Sequence, residues 1–293
     1  AGLRLRAAVP TGIEIRNVLA DPDHERAYVN DSAGRVHAVD TQRHQVLASV
    51  AAGRGALALD AANSLLFVSR EVRGSEVAVL STSPLTVTAT ITGGYKVAID
   101  AAGRRAFVGW TELRSPTPGV VQIWDTRTFE RIGSIAHRGE PAYNPLRDEI
   151  YLQDYSAYVV DGKSLEVIGE LTPDIGETPE GLQGCNGCVR VTGITVDAAS
   201  DAIVVSLLTG STGGGPGTVI QPRLFSARTR QPATHTVTVL SRCCGSAEPF
   251  IIPPDEGMVY ESQRFRRYVA YNSTLAYPAG AAFPDRLEEG RAG

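Results

Sequence analysis

The four cysteines of this 293-residue chain stand in two close pairs. Cys185 and Cys188 form a Cys-x-x-Cys motif, and Cys243 and Cys244 are adjacent. Two disulfides between the pairs are favoured, because a bond between neighbours is strained at a Cα separation of about 3.8 Å. A zinc site is the second alternative, since adjacent cysteines strain tetrahedral coordination. Redox chemistry is the third, because no helix N-terminus is predicted there to activate a thiol.

Histidines and carboxylates offer the other candidate chemistry. His137 and Glu140 lie in one short His-Arg-Gly-Glu segment, where His137 is a candidate general base and Glu140 a second catalytic group. The other histidines fall in or beside predicted turns and outer strands, where we expect exposed positions; they are His24, His37, His44 and His235. The chain contains no serine-hydrolase, zinc-protease, EF-hand or dinucleotide motif.

A repeated turn-and-strand unit must position these residues. Its clearest copy, Asp100 to Val108, has a turn followed by the strand Ala106-Phe107-Val108. Further copies start at Asp21, Asp60, Asn144, Asp197 and Pro253, and together with Asp100 successive copies lie 39 to 56 residues apart. Each of the first four copies also has a second pair of β-branched runs separated by a turn, typical of a hairpin. The units therefore predict four strands each, near the roughly 40–50-residue period of propeller blades.

These units predict an all-β fold, a six-bladed β-propeller with four-stranded antiparallel blades. The last unit lacks a convincing fourth strand. Residues 5–12 align with residues 46–53, a fourth strand and its following turn, and the predicted N-terminal strand covers residues 3–9. We therefore expect the N-terminal strand to complete the last blade and close the ring, which removes open sheet edges. One domain is predicted over residues 1–278, with a loose C-terminal tail over 279–293.

The repeats resemble the YVTN-type β-propeller family. Tyr28-Val29-Asn30-Asp31 is the copy nearest to its signature, and the segments 38–41 and 123–126 resemble its second signature. The resemblance is strong in the first four units and weak in the last two. It implies a fold but no single activity, because relatives include binding proteins, sugar lactonases, lyases and subunits of dehydrogenases.

In a propeller of this kind, ligand sites lie on the face formed by two sets of loops, those between blades and those between second and third strands. Mixed charge and aromatic side chains there would suit a polar or anionic ligand. The candidate ligand-binding residues on these loops are Glu14, Arg54, Lys96, Trp110, Tyr143, Asp154, Arg190 and Glu248.

Net charge and hydrophobicity argue against nucleic acid and membrane as partners. The net charge is −4, which gives no general attraction to nucleic acid, and no apolar run is long enough to span a membrane. We expect a secreted or periplasmic binding or scaffold protein, because disulfides persist in oxidising compartments. It would hold a small polar molecule or a protein partner. The alternative is a lactonase- or lyase-type enzyme, with a divalent metal such as calcium held by Glu14, Glu140 and Glu248.

Overall fold

The computed structural model describes residues 14–70, 75–109, 119–154, 156–171, 190–197, 201–209, 219–236, 239–240, 258–260 and 270–272. Over these residues the protein is an all-β structure of antiparallel strands. Its helical segments there are two short 3-10 turns, Pro22–His24 and Ala61–Asn63. The chain divides into two compact units, Ala1–Pro141 and Ala142–Gly293. The prediction of one domain over residues 1–278 stays a prediction.

The first unit contains three four-stranded sheets, each built from consecutive strands. Sheet 1 consists of β1 (Ile15–Asp21), β2 (Arg26–Asp31), β3 (Arg35–Asp40) and β4 (Gln45–Ala51). Sheet 2 consists of β5 (Leu57–Asp60), β6 (Leu65–Ser69), β7 (Glu76–Thr82) and β8 (Leu85–Thr92). Sheet 3 consists of β9 (Lys96–Asp100), β10 (Arg105–Gly109), β11 (Val121–Asp125) and β12 (Arg131–Ile135).

The second unit continues the pattern. Sheet 4 consists of β13 (Glu140–Asn144), whose first two residues belong to the first unit, β14 (Glu149–Gln153), β15 (Ala157–Asp161) and β16 (Val167–Leu171). Sheet 5 consists of β17 (Arg190–Asp197), β18 (Ala202–Thr209), β19 (Val219–Ser226) and β20 (Pro232–Thr236), and β21 (Val239–Leu240) also pairs with β19. A two-stranded sheet follows, β22 (Met258–Tyr260) with β23 (Ala270–Asn272).

In sheets 2, 3 and 4, the aspartate or asparagine that begins the repeat ends the first strand and caps the following turn. Asp60 Oδ1 accepts a hydrogen bond from the Asn63 amide at 3.1 Å, and Asp100 Oδ1 accepts one from the Gly103 amide at 2.9 Å. Asn144 Oδ1 likewise accepts one from the Leu146 amide at 3.0 Å. Short polar side chains favour such turns because they satisfy backbone donors locally. This local bonding explains the anchor residue of the repeat.

Neighbouring sheets pack face to face within each unit. In sheet 2, Leu66 and Val68 pack in a cluster with Tyr28 of sheet 1, whereas Phe67 between them packs in a cluster with Ala106 of sheet 3. Successive strand residues point to opposite faces, so β6 is apolar on both. In the second unit, a similar cluster joins sheets 4 and 5, with Tyr151, Val159, Ile203 and Phe225 among its members.

The first strands of neighbouring sheets also meet. In the first unit β5 contacts both β1 and β9. The predicted all-β fold of four-stranded antiparallel sheets is confirmed. The predicted N-terminal closing strand over 3–9 and the predicted tail over 279–293 lie outside the described residues, so six blades and a closed ring stay predictions.

A second capped turn links the third and fourth strands of sheets 1, 3 and 4. Asp40, Asp125 and Asp161 each accept hydrogen bonds from two backbone amides within the next three residues. These hydrogen bonds stabilise the carboxylate form, so the pKa of each aspartate is lowered from its usual value.

Protonation of the three capping aspartates should lower the free energy of unfolding at acid pH. A carboxylate with a lowered folded-state pKa contributes stability above its unfolded pKa of about 3.9, and this is lost as pH falls through the folded value. The variant D40N/D125N/D161N keeps an oxygen acceptor at each turn but removes the titration. Denaturant unfolding between pH 2 and pH 6 should therefore show a steeper loss of unfolding free energy below about pH 4 in the wild type.

The control for this experiment is D23N, which removes one exposed carboxylate from a 3-10 turn without touching the three caps. It should follow the wild-type pH profile closely. Equal slopes in the wild type and the triple variant would show that the capped turns do not contribute to acid sensitivity.

Candidate functional site

Two opposite charges stand at equivalent places on neighbouring first strands. Lys96 is the first residue of β9 and Glu140 the first residue of β13, each four positions before the capping residue of its strand. Lys96 Nζ lies 4.0 Å from Glu140 Oε2, and the two side chains are 28% and 16% exposed. At that distance the groups attract each other but form no direct hydrogen bond. Partial burial weakens the screening of this pair by solvent.

Tyr95 joins this pair from the loop between β8 and β9. Its hydroxyl donates a short hydrogen bond to Glu140 Oε1. Its own carbonyl accepts a hydrogen bond from the Ser69 hydroxyl at the end of β6. Glu140 is therefore held on one oxygen by Tyr95, while the other oxygen faces the Lys96 ammonium group. We call Tyr95, Lys96 and Glu140 the Lys96 site.

His137 lies in the loop that leads from β12 to Glu140. Its Nδ1 is 2.7 Å from the Arg138 carbonyl oxygen, which can only accept, so the ring donates from Nδ1. In the neutral ring, the lone pair is then on Nε2. The Val121 amide donates to the His137 carbonyl at 3.0 Å, which fixes the backbone of the loop beside β11. The predicted general base therefore has the tautomer that could accept a proton at Nε2.

Glycines allow the loops of this site to approach the end of β10. A Cβ atom on Gly94 would lie 2.3 Å from the Gly109 carbonyl oxygen, and one on Gly109 would lie 2.2 Å from the Gly139 carbonyl oxygen. Real Cβ atoms do not approach so closely. The loop before Lys96 and the loop before Glu140 therefore both pack directly on the backbone of Gly109.

Gly109 occupies a position that contacts the next loop in other sheets as well. In sheet 1 the fully buried Asn30 donates from Nδ2 to the Gly55 carbonyl at 2.7 Å. In sheet 2 the Ser69 hydroxyl donates to the Tyr95 carbonyl. In sheet 4 the Gln153 amide lies 3.5 Å from the Val191 carbonyl oxygen. A residue at or next to the end of the second strand thus contacts the following segment, and at Gly109 only backbone makes that contact.

The other predicted site residues of the first unit are more exposed. Glu14 is 63% exposed and lies 3.7 Å from Arg16 Nη2. Arg54 is exposed, and its amide donates to the Arg70 carbonyl at 3.2 Å. The structure brings Lys96 and Glu140 together and adds Tyr95. Six predicted site residues lie outside the described residues: Trp110, Cys185, Cys188, Cys243, Cys244 and Glu248.

Three of the predicted ligand-binding residues that the structure describes belong to the second unit. The Tyr143 hydroxyl donates to Asp148 Oδ1 at 3.1 Å, in the turn that follows β13 and so at the opposite end of that strand from Glu140. Asp154 is buried just after β14, and its amide donates to the Ser156 carbonyl at 2.9 Å. Arg190 begins β17.

The predicted calcium ligands have protein partners where they are described. Glu14 pairs with Arg16, and Glu140 with Tyr95 and Lys96. Within the described ranges, no group of three or more His, Cys, Asp or Glu residues could hold a metal ion. No helix of the described structure is long and apolar enough to cross a membrane.

Tyr95 was not among the predicted site residues, and the predicted exposure of His37 was wrong. Tyr95 follows two glycines and precedes a predicted ligand residue, a position that could have indicated a loop aimed at the site. His37 was expected at the surface, but it is 6% exposed and bonds to Asp31 and Ser49. Val36 and Ala38, the residues on either side of His37 in β3, are also buried. The predicted turns gave no indication that β3 is a buried strand.

Comparison with protein-family models and with curated protein sequences gave no match. The function is therefore inferred from the chain's own residues and their geometry.

The close approach at Gly109 can be tested with two alanine variants. G109A should lower the free energy of unfolding by about 1–3 kcal/mol or more, because its Cβ would overlap the Gly139 carbonyl. G133A is the matched control, since the nearest atom to its Cβ is Ile123 Cδ1 at 3.7 Å. It should change stability by less than about 1 kcal/mol in urea unfolding. Equal effects would contradict the packing of the loops on Gly109.

Proposed function

We propose that this protein is an extracytoplasmic β-propeller that binds a small polar ligand at the Lys96 site. One observation carries the proposal: an ion pair of 4.0 Å between Lys96 and Glu140, partly buried at the start of two neighbouring first strands. A pair built only for stability gains most from direct hydrogen bonds. A third group that carries both a donor and an acceptor can bond to the Lys96 ammonium group and the Glu140 carboxylate at this separation.

The chemistry of the Lys96 site defines the class of ligand. The Lys96 ammonium group supplies hydrogen-bond donors and a positive charge, which suit a carboxylate. Glu140 Oε2 supplies an acceptor and a negative charge, which suit an amine or a hydroxyl group. A small molecule carrying both, such as an amino acid or a hydroxy acid, would complement the two residues at once. A protein partner could bind the Lys96 site in the same way if it presented a carboxylate and an amine or hydroxyl group.

A six-bladed ring would give such a ligand a shared face. Four repeats form four-stranded sheets, and in the first unit their first strands contact one another in chain order. This is the arrangement expected when first strands surround an axis. With residues 3–9 as the fourth strand of the last blade, the loops between blades would form one face, and the Lys96 site would belong to it. The resemblance to YVTN-type propellers agrees with this proposal.

The rival proposal is an enzyme of the lactonase or lyase type. It is favoured by one observation, the tautomer of His137, whose Nε2 could accept a proton in the loop that leads to Glu140. A divalent metal such as calcium would have to be held by residues such as Glu14, Glu140 and Glu248. Conversion of a lactone that is lost on calcium removal and in H137A would favour the enzyme over the binding protein.

Ligand binding can be followed at the only two lysines of the chain, Lys96 and Lys163. Lys163 lies exposed in the turn between β15 and β16 and is an internal control. We expect one or more compounds from a panel of amino acids and hydroxy acids to slow acetylation of Lys96 but not of Lys163. The reason is that a bound carboxylate covers the Lys96 ammonium group. Peptide mass spectrometry measures both rates in one sample.

Variants separate binding from a general effect on reactivity. Calorimetric binding of the same compound should be lost in K96A and weakened at least tenfold in E140Q, and should be unchanged in K163A. Protection of both lysines alike, or binding that survives K96A, would overturn the assignment of the Lys96 site.

The mass of the denatured protein tests the proposed secreted or periplasmic location, because it shows whether the cysteines form disulfides. Two disulfides among Cys185, Cys188, Cys243 and Cys244 would lower it by about 4 Da from the all-thiol value, with reduction restoring the difference. This outcome is expected of a secreted or periplasmic protein. Free thiols together with zinc in the native mass would contradict it and move attention to the cysteines.

A further inference from the structure

A chain of three hydrogen-bonded side chains crosses sheet 1 from its interior to its surface. His37 Nε2 lies 3.0 Å from Asp31 Oδ2, and His37 Nδ1 lies 2.7 Å from Ser49 Oγ. The Asp31 side chain is fully buried and that of His37 nearly so, while Ser49 is exposed. The three residues come from β2, β3 and β4, so three neighbouring strands fix their relative positions.

Asp31 determines where the protons of this chain lie. Burial opposes ionisation of Asp31, but hydrogen bonds from the Arg35 amide and from His37 outweigh it and lower its pKa below the usual value. An ionised carboxylate only accepts, so His37 carries its proton on Nε2. The neutral ring then has its lone pair on Nδ1 and accepts the Ser49 hydroxyl hydrogen. A serine bonded to a base that a third group orients is the arrangement of an activated nucleophile.

Sheets 2, 3 and 4 lack this arrangement. Ala78, Gln122 and Tyr158 occupy the position of His37 in sheets 2, 3 and 4, directly opposite Thr90, Ser134 and Glu170 respectively. The residue opposite His37 is Ser49. These sheets form the same strands without a histidine, so sheet architecture does not require one. In sheet 3 the exposed Ser134 faces an amide, which is not a base.

Arg35 adds a positive charge beside Ser49. It lies two residues before His37 on β3, in a stretch of regular pairing where Arg35 is opposite Ala51 and His37 is opposite Ser49. Residues two apart on a strand share a face, and such a diagonal neighbour is within reach of a long side chain. Arg35 is exposed and forms no ion pair with any residue that the structure describes. A guanidinium in this place suits the negative charge that develops during acyl transfer.

We propose that Ser49 is the nucleophile of a second site, which takes the acyl group of a small carboxylic ester. Ser49 Oγ bonds to the ester carbonyl carbon while its proton passes to His37 Nδ1, and Arg35 stabilises the oxyanion. The ester C–O bond then breaks, and the leaving alcohol takes the proton from His37. His37 Nδ1 then takes a proton from water as the water oxygen bonds to the acyl carbon. The bond between that carbon and Ser49 Oγ breaks, Ser49 takes the proton back from His37, and the acid leaves. Asp31 is a positioning residue that sets the tautomer of His37.

A fluorophosphonate probe tests Ser49 in the full-length protein. Ser49 Oγ should form a bond to the phosphorus of the probe as fluoride leaves, and the Ser49 hydroxyl proton should pass to His37. Mass spectrometry should find one phosphonyl group per chain, on the peptide that contains Ser49, with S49A unlabelled. Ser134 is the matched internal control, because it is exposed at the equivalent position of β12 without a basic partner. It should stay unmodified.

The decisive variant is H37Q, which reproduces in sheet 1 the Gln122–Ser134 pair of sheet 3. It should fold, as judged by circular dichroism and thermal unfolding, yet react with the probe about 100-fold more slowly because the general base is gone. R35A should slow the hydrolysis of p-nitrophenyl acetate without changing the melting temperature. An unlabelled Ser49, equal labelling of Ser134, or an unchanged rate in a folded H37Q would each overturn the proposal.

Discussion

The central strands of this protein are apolar on both faces, and this constraint determines how the sheets assemble. Leu66 and Val68 point to one side of β6 and Phe67 to the other, and all three are almost completely buried. A sheet with two apolar faces is stable only when both are covered, since each fully buried large side chain contributes about 1.5–3 kcal/mol. The sheets must therefore stack, and each repeat depends on its neighbours for its core.

The residues near the start of the first strands do not fill the core between stacked sheets, so their chemistry can differ from sheet to sheet. Tyr28, Phe67, Phe107 and Tyr151 fill equivalent core positions on the second strands and are fully or almost fully buried. The start of the first strand carries no such demand, and there the repeats differ: Asn17 bonds to the Gly55 carbonyl, whereas Lys96 and Glu140 form an open ion pair. A position that varies in chemistry within a constant frame is where a repeat protein can acquire a specific site.

Much of the frame followed from the sequence, because its causes are local. The capping residues Asp60, Asp100 and Asn144 bond within three positions along the chain, so their spacing gave the strand order of the repeats. The Lys96 site depends on contacts between repeats, and sequence reasoning found Lys96 and Glu140 only as members of a shared face. Tyr95 was missed, since its hydroxyl reaches a carboxylate 45 residues away. Such a contact has no signature in local spacing.

His37 shows how a repeat protein can reveal function through a departure from its own pattern. A buried imidazole costs stability unless both ring nitrogens are bonded, and alanine at the equivalent position of sheet 2 avoids that cost. Retaining histidine therefore demands Asp31 on one side and Ser49 on the other, and the structure provides both. The same two bonds that make the ring tolerable in the core also place a basic nitrogen against an exposed hydroxyl. Hydrogen bonding of a buried histidine and activation of a serine nucleophile thus need the same geometry. The reactivity of Ser49 compared with that of Ser134 distinguishes a purely structural role from a catalytic one.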